Sequence, residues 1–393
     1  MISPILLSKS EIHEFYYNLS VKLIENEKEV IMFETYNPID DKLYKVIDNA
    51  GKVVLKGWNN TLTDKELIQA YRDMLFERTA DTMAVNFQRQ GRMGTYPPNL
   101  GQEAIHIASA KVIAKDDWVV PAFRELGVYL AAGASLMEIF WYYKGNENAS
   151  KFTGAPHLLP ISVPIATQLL HASGLGFSLK YKKEKGVVFA YVGDGGTSEG
   201  DFHEALNFAA VWQAPVIFII QNNQYAISMP VRQQTRSINM AVKGIAYGIP
   251  SVKADGNDFL AMYDVLSYAK KQASAGKGPF LVEALTFRRG AHTTSDDPTR
   301  YRTKEEENTW LTGDPLNRFK SFLNKKGLLK SLDEKSLEEE YKLKITKEFE
   351  AAEAAPEYKP DEVFATMFEQ MPDELKRQKH AYESYLAGKE RQK

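Results

Sequence analysis

The chain contains no cysteine. Disulfides, thiolate zinc sites, iron–sulfur clusters and cysteine nucleophiles are therefore excluded together. It has no surplus of basic charge, since 49 Lys and Arg stand against 51 Asp and Glu in 393 residues. A nucleic-acid binder usually carries such a surplus, so no nucleic-acid partner is expected. Long apolar runs are also missing. Val187–Val192 and Pro215–Ile220 have the length of strands, far short of the roughly 20 residues a membrane helix needs, so no membrane partner is expected either. Ile2–Leu7 is too short for a signal-peptide core, and an Arg-rich leader is lacking because the first arginine is Arg72. The expected location is cytoplasmic. Histidine is scarce, with seven residues and no pair at the spacing of a zinc-binding helix.

Residues 1–60 read as an irregular leader, with a turn at Asn49-Ala50-Gly51 between Lys45–Asp48 and Lys52–Leu55. Thr63 and Glu66 have the spacing of a capping box. Leu67, Tyr71, Met74 and Leu75 give the helix that follows an apolar face up to Gln90. Further helices are expected from near Gly101 and over Leu136–Lys144. The centre alternates strand and helix: Val187–Val192, Gly200–Val211, Pro215–Ile220, Val252–Ala254, Asp258–Ala273 and Phe280–Phe287. Such alternation predicts an α/β fold with a doubly wound, mainly parallel sheet and helices on both faces. Beyond it, Ser331–Ala354 and the segments after Pro356 read as charged helices. The expected division is a leader (1–60), an α/β domain (61–302) and a helical C-terminal region (303–393).

The chemistry-bearing residues gather around Gly193-Asp194-Gly195-Gly196. A buried strand ends there, a glycine turn exposes backbone N–H groups, and a helix begins, which makes an anion site. Asn222 and Asn223 lie past the next strand. If the two strands are neighbours, their ends share the crevice where doubly wound sheets bind ligands. Asp194 and an asparagine would then offer hard oxygens to one magnesium.

The pairing of Gly-Asp-Gly with Asn-Asn, 29 residues from Asp194 to Asn223, resembles the signature of thiamin diphosphate enzymes. The fuller segments Gly193–Phe202, Gln221–Ser228 and His292–Arg302 resemble alpha subunits of 2-oxo acid dehydrogenases, most of all those of bacterial pyruvate dehydrogenases. The likeness runs from about Tyr44 through the C-terminal helices and leaves residues 1–43 unplaced.

The resemblance implies a thiamin diphosphate-binding fold and a site assigned residue by residue. Asp194, Asn223 and the Tyr225 carbonyl would ligate magnesium, and Gly195 and Gly196 would present backbone to the diphosphate. Arg124 would bind a diphosphate oxygen. Phe123 before it departs from the family's usual tyrosine. The backbone of Val163 and Ile165 would hold the aminopyrimidine ring. His292, in the polar run Ala291–Arg302, would face the diphosphate and act as the catalytic group. Ser162, Thr167 and Gln168 match a potassium site of branched-chain relatives, although a loop entering a helix at Thr167 is the preferred reading. Ser295 sits where some relatives are phosphorylated, and a structural role is preferred. Glu103 reads as capping or packing its helix, and His106, His157, His171 and His203 as packing residues.

The implied activity is decarboxylation of pyruvate, with transfer of the acetyl unit to a lipoyl group on a partner acyltransferase core. The implied partner is a beta subunit in an α2β2 heterotetramer. A branched-chain 2-oxo acid dehydrogenase, an acetoin-cleaving relative and a catalytically silent scaffold subunit are the alternatives.

Overall fold

The computed structural model describes Phe33 and residues 35–390, with the side chain of Glu390 excepted. Of the expected leader, residues 1–32 and Glu34 lie outside this range. The strands are β1 (Trp118–Val120), β2 (Val188–Gly193), β3 (Val216–Asn222), β4 (Tyr225–Ala226), β5 (Met229–Pro230), β6 (Ser251–Asp255) and β7 (Phe280–Leu285). Five of them form one sheet in the order β1-β2-β3-β7-β6, and every pair in it is parallel. β4 and β5 form a separate small antiparallel hairpin.

The helices that matter for the site are α1 (Asp64–Arg89), α2 (Glu103–Val112), α3 (Leu126–Ala132), α4 (Leu136–Tyr143), α5 (Thr167–Lys182), α6 (Gly200–Trp212) and α7 (Phe259–Ser274). Alternate residues of each strand enter different cores. Phe189, Tyr191, Ile217 and Ile219 pack on one face with residues of α1, α2 and α7. Val188, Ala190, Phe218 and Ile220 pack on the other with Leu169 and Ala172 of α5 and Leu206 of α6. This two-sided burial explains why the central strands read as continuous apolar runs. Each such large side chain contributes roughly 1.5–3 kcal/mol on burial. The fold is thus a mixed α/β architecture with a parallel sheet flanked by helices, as the alternation predicts.

Local signals act as expected in α1. Thr63 caps its start, its side chain accepting from the Glu66 N–H while Glu66 accepts from the Thr63 N–H. Asn49–Gly51 does form a turn, but the flanking residues make only an isolated bridge, Ile47 to Val53. Tyr44 instead bridges in parallel to Ala254 at the sheet edge. The fully buried Arg318, on the helix Pro315–Lys325, reaches the same edge and pairs with Asp255 at 2.9 Å and Asp258 at 3.3 Å. Glu334–Glu353 packs across α1 and α4. The charged stretch beyond Pro356 breaks into Pro360–Phe364 and Asp373–Glu390. No described helix is long and apolar enough to cross a membrane.

β2 and β3 are direct neighbours, with Gly193 opposite Gln221, and Asn222 lies opposite Leu285 of β7. Because the strands are parallel, the segments after β1, β2, β3 and β7 all leave the sheet at one edge.

Candidate active site

These four exits, with the loop before α5, enclose a cavity of about 650 Å³. Its lining includes Phe123 and Arg124 from the exit of β1, Asp194, Gly195 and Gly196 from that of β2, and Asn223 and Tyr225 from that of β3. His292 comes from the segment after β7, and Val163 and Ile165 from the loop before α5. The structure therefore gathers around one space the ten residues that the resemblance assigned to cofactor, metal and catalysis.

Both strands run further than their apolar stretches suggest, so β2 ends on Gly193 and β3 on Asn222. Asp194–Ser198 is a tight 3-10 turn leading into α6. A Cβ on Gly195 would come within 2.7 Å of the Ala226 Cβ, and one on Gly196 within 2.3 Å of a Val192 methyl. These glycines let the turn press against β4 and against its own strand. Ala166 (φ 66°) and Ile227 (φ 55°), both lining the cavity, hold left-handed backbone without being glycine. Strain of this kind, about 1–3 kcal/mol per residue, collects at ligand sites. Val163 and Ile165 are 59% and 47% exposed, a bare apolar rim on the cavity mouth.

A carboxylate, a carbonyl and an amide meet beside the turn. The Asn223 amide oxygen accepts from Tyr225 N–H at 3.4 Å while its nitrogen donates to Gln102 Oε1 at 3.4 Å. With the amide reversed, the nitrogen would lie 3.2 Å from both Asp194 Oδ1 and Tyr225 O. That reversed amide satisfies the protein's own groups, and the oxygen facing inward would suit a cation instead. Burial pushes the Asp194 carboxyl up to about 6, despite a hydrogen bond from Gln234 Nε2 at 3.2 Å. A carboxylate, an amide oxygen and a carbonyl, converging in a dry place, form a hard donor set suited to a divalent cation that also has phosphate oxygens to bind. Among the described residues no three His, Asp or Glu side chains cluster well enough to hold a metal alone.

Positive charge faces the same cavity. Arg288, which the sequence reading missed, is fully buried and donates to Tyr225 O at 3.0 Å, Ile227 O at 2.7 Å and the Tyr301 hydroxyl at 2.8 Å. Its Nε has no partner among the described residues. Arg124 is 5% exposed and donates to Pro98 O at 2.6 Å and to His292 through both O and Nδ1. Among the described residues, every one of these partners is neutral. The charges of Asp194 and Asp296 act on Arg288, and those of Asp81 and Glu125 on Arg124, but neither guanidinium hydrogen-bonds a carboxylate. A buried guanidinium without such a partner is costly unless an anion joins it. Phe123 keeps a ring beside the Arg124 guanidinium, 5.2 Å away, and meets the His292 ring edge-on. Tyr143 on α4 donates its hydroxyl to Phe123 O at 3.3 Å.

The state of His292 follows from its partners. Arg124 can only donate, so the lone pair is on Nδ1, 3.0 Å away, and the proton is on Nε2. Asp296 anchors the loop by accepting from the His292 N–H at 2.8 Å. Burial, then the charges of Arg124 and Arg288, push the imidazole down to about 4. The folded state therefore disfavours the imidazolium. Its contribution to stability is complete above the unfolded pKa of about 6.5 and is lost as pH falls towards 4. We expect His292 to remain neutral at pH 5.5 in the absence of anions, as followed by histidine proton NMR. A midpoint near 6.5 would contradict this.

The remaining candidates are held by other partners, although Ser162 also lines the cavity. Thr167 donates to Asp201 at 3.0 Å and Ser162 to Pro164 O at 3.1 Å, so the two hydroxyls serve different acceptors. Ser295 Oγ lies 3.3 Å from Thr95 Oγ1. Glu103 is buried, accepts from Gly101 N–H and pairs with Arg78, a structural role. His106, read as a packing residue, is instead bonded through both ring nitrogens.

Comparison with known proteins gives the same picture. The family model described as dehydrogenase E1 component matches residues 71–361. The pyruvate dehydrogenase E1 component subunit alpha of Acholeplasma laidlawii is 43% identical over 343 residues, covering 87% of this chain and 99% of that protein. The 3-methyl-2-oxobutanoate dehydrogenase subunit alpha of Mycobacterium tuberculosis is 42% identical over 330 residues, covering 84% and 90%. The pyruvate dehydrogenase E1 component subunit alpha of Bacillus subtilis is 39% identical over 340 residues, covering 86% and 92%. With three-quarters of its length inside one family model and relatives of this identity along most of the chain, the protein belongs to the dehydrogenase E1 component family.

Proposed function

We propose that the chain is the alpha subunit of a pyruvate dehydrogenase, acting in the cytoplasm with a beta subunit as an α2β2 heterotetramer. It decarboxylates pyruvate on thiamin diphosphate and magnesium and delivers the acetyl unit to a lipoyl group on an acyltransferase core. One observation carries the reading: two buried arginines whose hydrogen-bond partners are all neutral face a single cavity with a converging carboxylate, carbonyl and amide. A diphosphate with its cation satisfies both halves at once.

In this reading Arg124 and Arg288 neutralise the diphosphate, and Gly195 and Gly196 let backbone approach it. Asp194, Asn223 and the Tyr225 carbonyl hold magnesium, and the backbone of Val163 and Ile165 borders the aminopyrimidine ring. Thiamin diphosphate, when bound, supplies the carbon nucleophile and the electron sink for decarboxylation. The protein binds and orients. His292, neutral and fixed by Arg124 and Asp296, presents Nε2–H to an oxygen of the 2-oxo acid and stabilises charge developing there. His292→Ala should lower kcat of the assembled enzyme roughly 10²-fold and change thiamin diphosphate affinity little. Turnover within threefold of wild type would remove His292 from catalysis.

A second reading, a branched-chain 2-oxo acid dehydrogenase, is favoured by the near-equal identity to the Mycobacterium tuberculosis protein. Steady-state rates of the assembled enzyme on pyruvate, 3-methyl-2-oxobutanoate and acetoin decide between these substrates. Failure to bind thiamin diphosphate with magnesium overturns both readings in favour of a silent scaffold.

A further inference from the structure

A buried file of four side chains leads from α1 to the cavity wall. Glu77 Oε1 lies 2.5 Å from His106 Nδ1 and also accepts from Gly127 N–H at 3.1 Å. His106 Nε2 lies 2.7 Å from Gln221 Oε1, and the Gln221 amide nitrogen donates to Glu125 Oε1. The other oxygen of Glu125 accepts from the Tyr129 hydroxyl at 2.8 Å and Arg124 N–H at 3.0 Å. None of the four is more than 2% exposed. Only Gln221 and Glu125 line the cavity.

Counting hydrogens restricts what this file can be. Its ends are carboxyl groups and its three links need one hydrogen each. A doubly protonated His106 fills the first two links and the Gln221 amide fills the third, leaving both carboxylates ionised. If Glu77 takes the proton instead, it donates to Nδ1, His106 keeps Nε2–H, and the other two links are unchanged. A neutral His106 that gives Nδ1–H to an ionised Glu77 has a lone pair on Nε2. Gln221 would then have to turn its nitrogen towards His106, and its oxygen would face Glu125, which could stay in contact only by carrying a proton. The three arrangements hold the same number of protons. Only the last leaves the cavity wall uncharged.

We propose that Glu77, a residue outside the cavity, acts through His106 and Gln221 as a positioning residue that keeps the shared proton on His106 and so holds Glu125 as a carboxylate beside Arg124. Burial alone would lower His106, but the charge and hydrogen bond of Glu77, with Glu125 and Gln221 behind it, push it up to about 9. Burial raises both Glu77 and Glu125, which makes them the two competitors for that proton. The other polar groups on Glu125 are the Tyr129 hydroxyl and Arg124 N–H, which donate to it and favour its ionised form. The relevance to catalysis rests on the cofactor reading of the cavity, whereas the proton arrangement does not.

Glu77→Gln tests the proposal in the full chain. Gly127 N–H demands an acceptor, so the carboxamide oxygen takes the place of Oε1 and still receives Nδ1–H. Without the carboxylate charge His106 becomes neutral, Gln221 turns, and Glu125 takes the proton. Difference infrared spectra at pH 7 should show a new carboxylic acid band in Glu77→Gln that is absent from Glu77→Gln/Glu125→Gln. No such band, or one that survives in the double variant, overturns the proposal. Wild-type chain gives an independent reading if the variant does not fold. One of its seven histidines should remain doubly protonated at pH 8 by nitrogen-15 NMR, and its absence overturns the proposal. Neither readout requires bound cofactor, so failure of the cofactor reading would leave both signals in place.

Discussion

Asp194→Ala is expected to abolish magnesium-dependent binding of thiamin diphosphate while leaving the fold intact. Asp194 is the one carboxylate among the three groups that meet at the end of β2. Without it, an amide and a carbonyl oxygen remain, and neither carries the charge that offsets a divalent ion's loss of hydration. An unneutralised diphosphate would then face Arg124 and Arg288 alone. We expect affinity to fall at least 100-fold, roughly 2.7 kcal/mol. Stability should behave differently. The carboxyl is almost wholly buried and its pKa is raised by that burial, so the ionised group is a burden on the protein without its cation. The melting temperature of the ligand-free variant should therefore match or exceed that of wild type. Wild type gains stability when cofactor and magnesium are added together, and the variant should not. Calorimetry of the protein assembled with its partner measures both, and undiminished magnesium-dependent binding would remove Asp194 from the site.

The purified chain alone should show no 2-oxo acid decarboxylation, and adding the beta subunit should restore it. Promotion of thiamin diphosphate to its reactive form requires a carboxylate at the aminopyrimidine ring. Among the described residues, the carboxylates that line the cavity are Glu125, Asp194 and Glu199. Glu125 is engaged by Gln221, Tyr129 and Arg124 N–H, Asp194 stands with the Asn223 amide and the Tyr225 carbonyl, and Glu199 is exposed. Each is thus committed elsewhere or directed to solvent. The rim points the same way. Val163, Ile165, Ile227 and Met229 are each 46–59% exposed around or beside the mouth, whereas a site that excludes water covers most of its ligand. A partner surface closing on these side chains would both dry the cavity and bring the missing acid. Full activity from a preparation shown by mass spectrometry to contain this chain alone would refute the dependence.

Much of this was legible in the sequence because its signals are local. The capping box at Thr63 and Glu66 needs four consecutive residues. The strand before Gly193 shows itself as an unbroken apolar run because helices cover both faces of the sheet. Asp194 and Asn223 stand out because the chain between them is one helix and one strand, which returns the chain to the same sheet edge. By contrast, β1 is three residues long, too short to show a period, and Tyr44 joins the sheet edge through a single bridge rather than a ladder.

What the sequence determined by itself is the α/β alternation, the glycine turn with its aspartate, and the family those motifs resemble, since each is written in neighbouring residues. Tertiary structure decided which charges go uncompensated and which protons are shared. Arg288 becomes a cavity arginine only because β7 leaves the sheet beside β3 and its guanidinium reaches the carbonyls of Tyr225 and Ile227. Glu77, His106, Gln221 and Glu125 come from four separate segments, and no spacing links them. Their hydrogen bonds exist because α1, α2 and the end of β3 pack around one dry interior, where a polar group must find a partner or pay the full cost of leaving water.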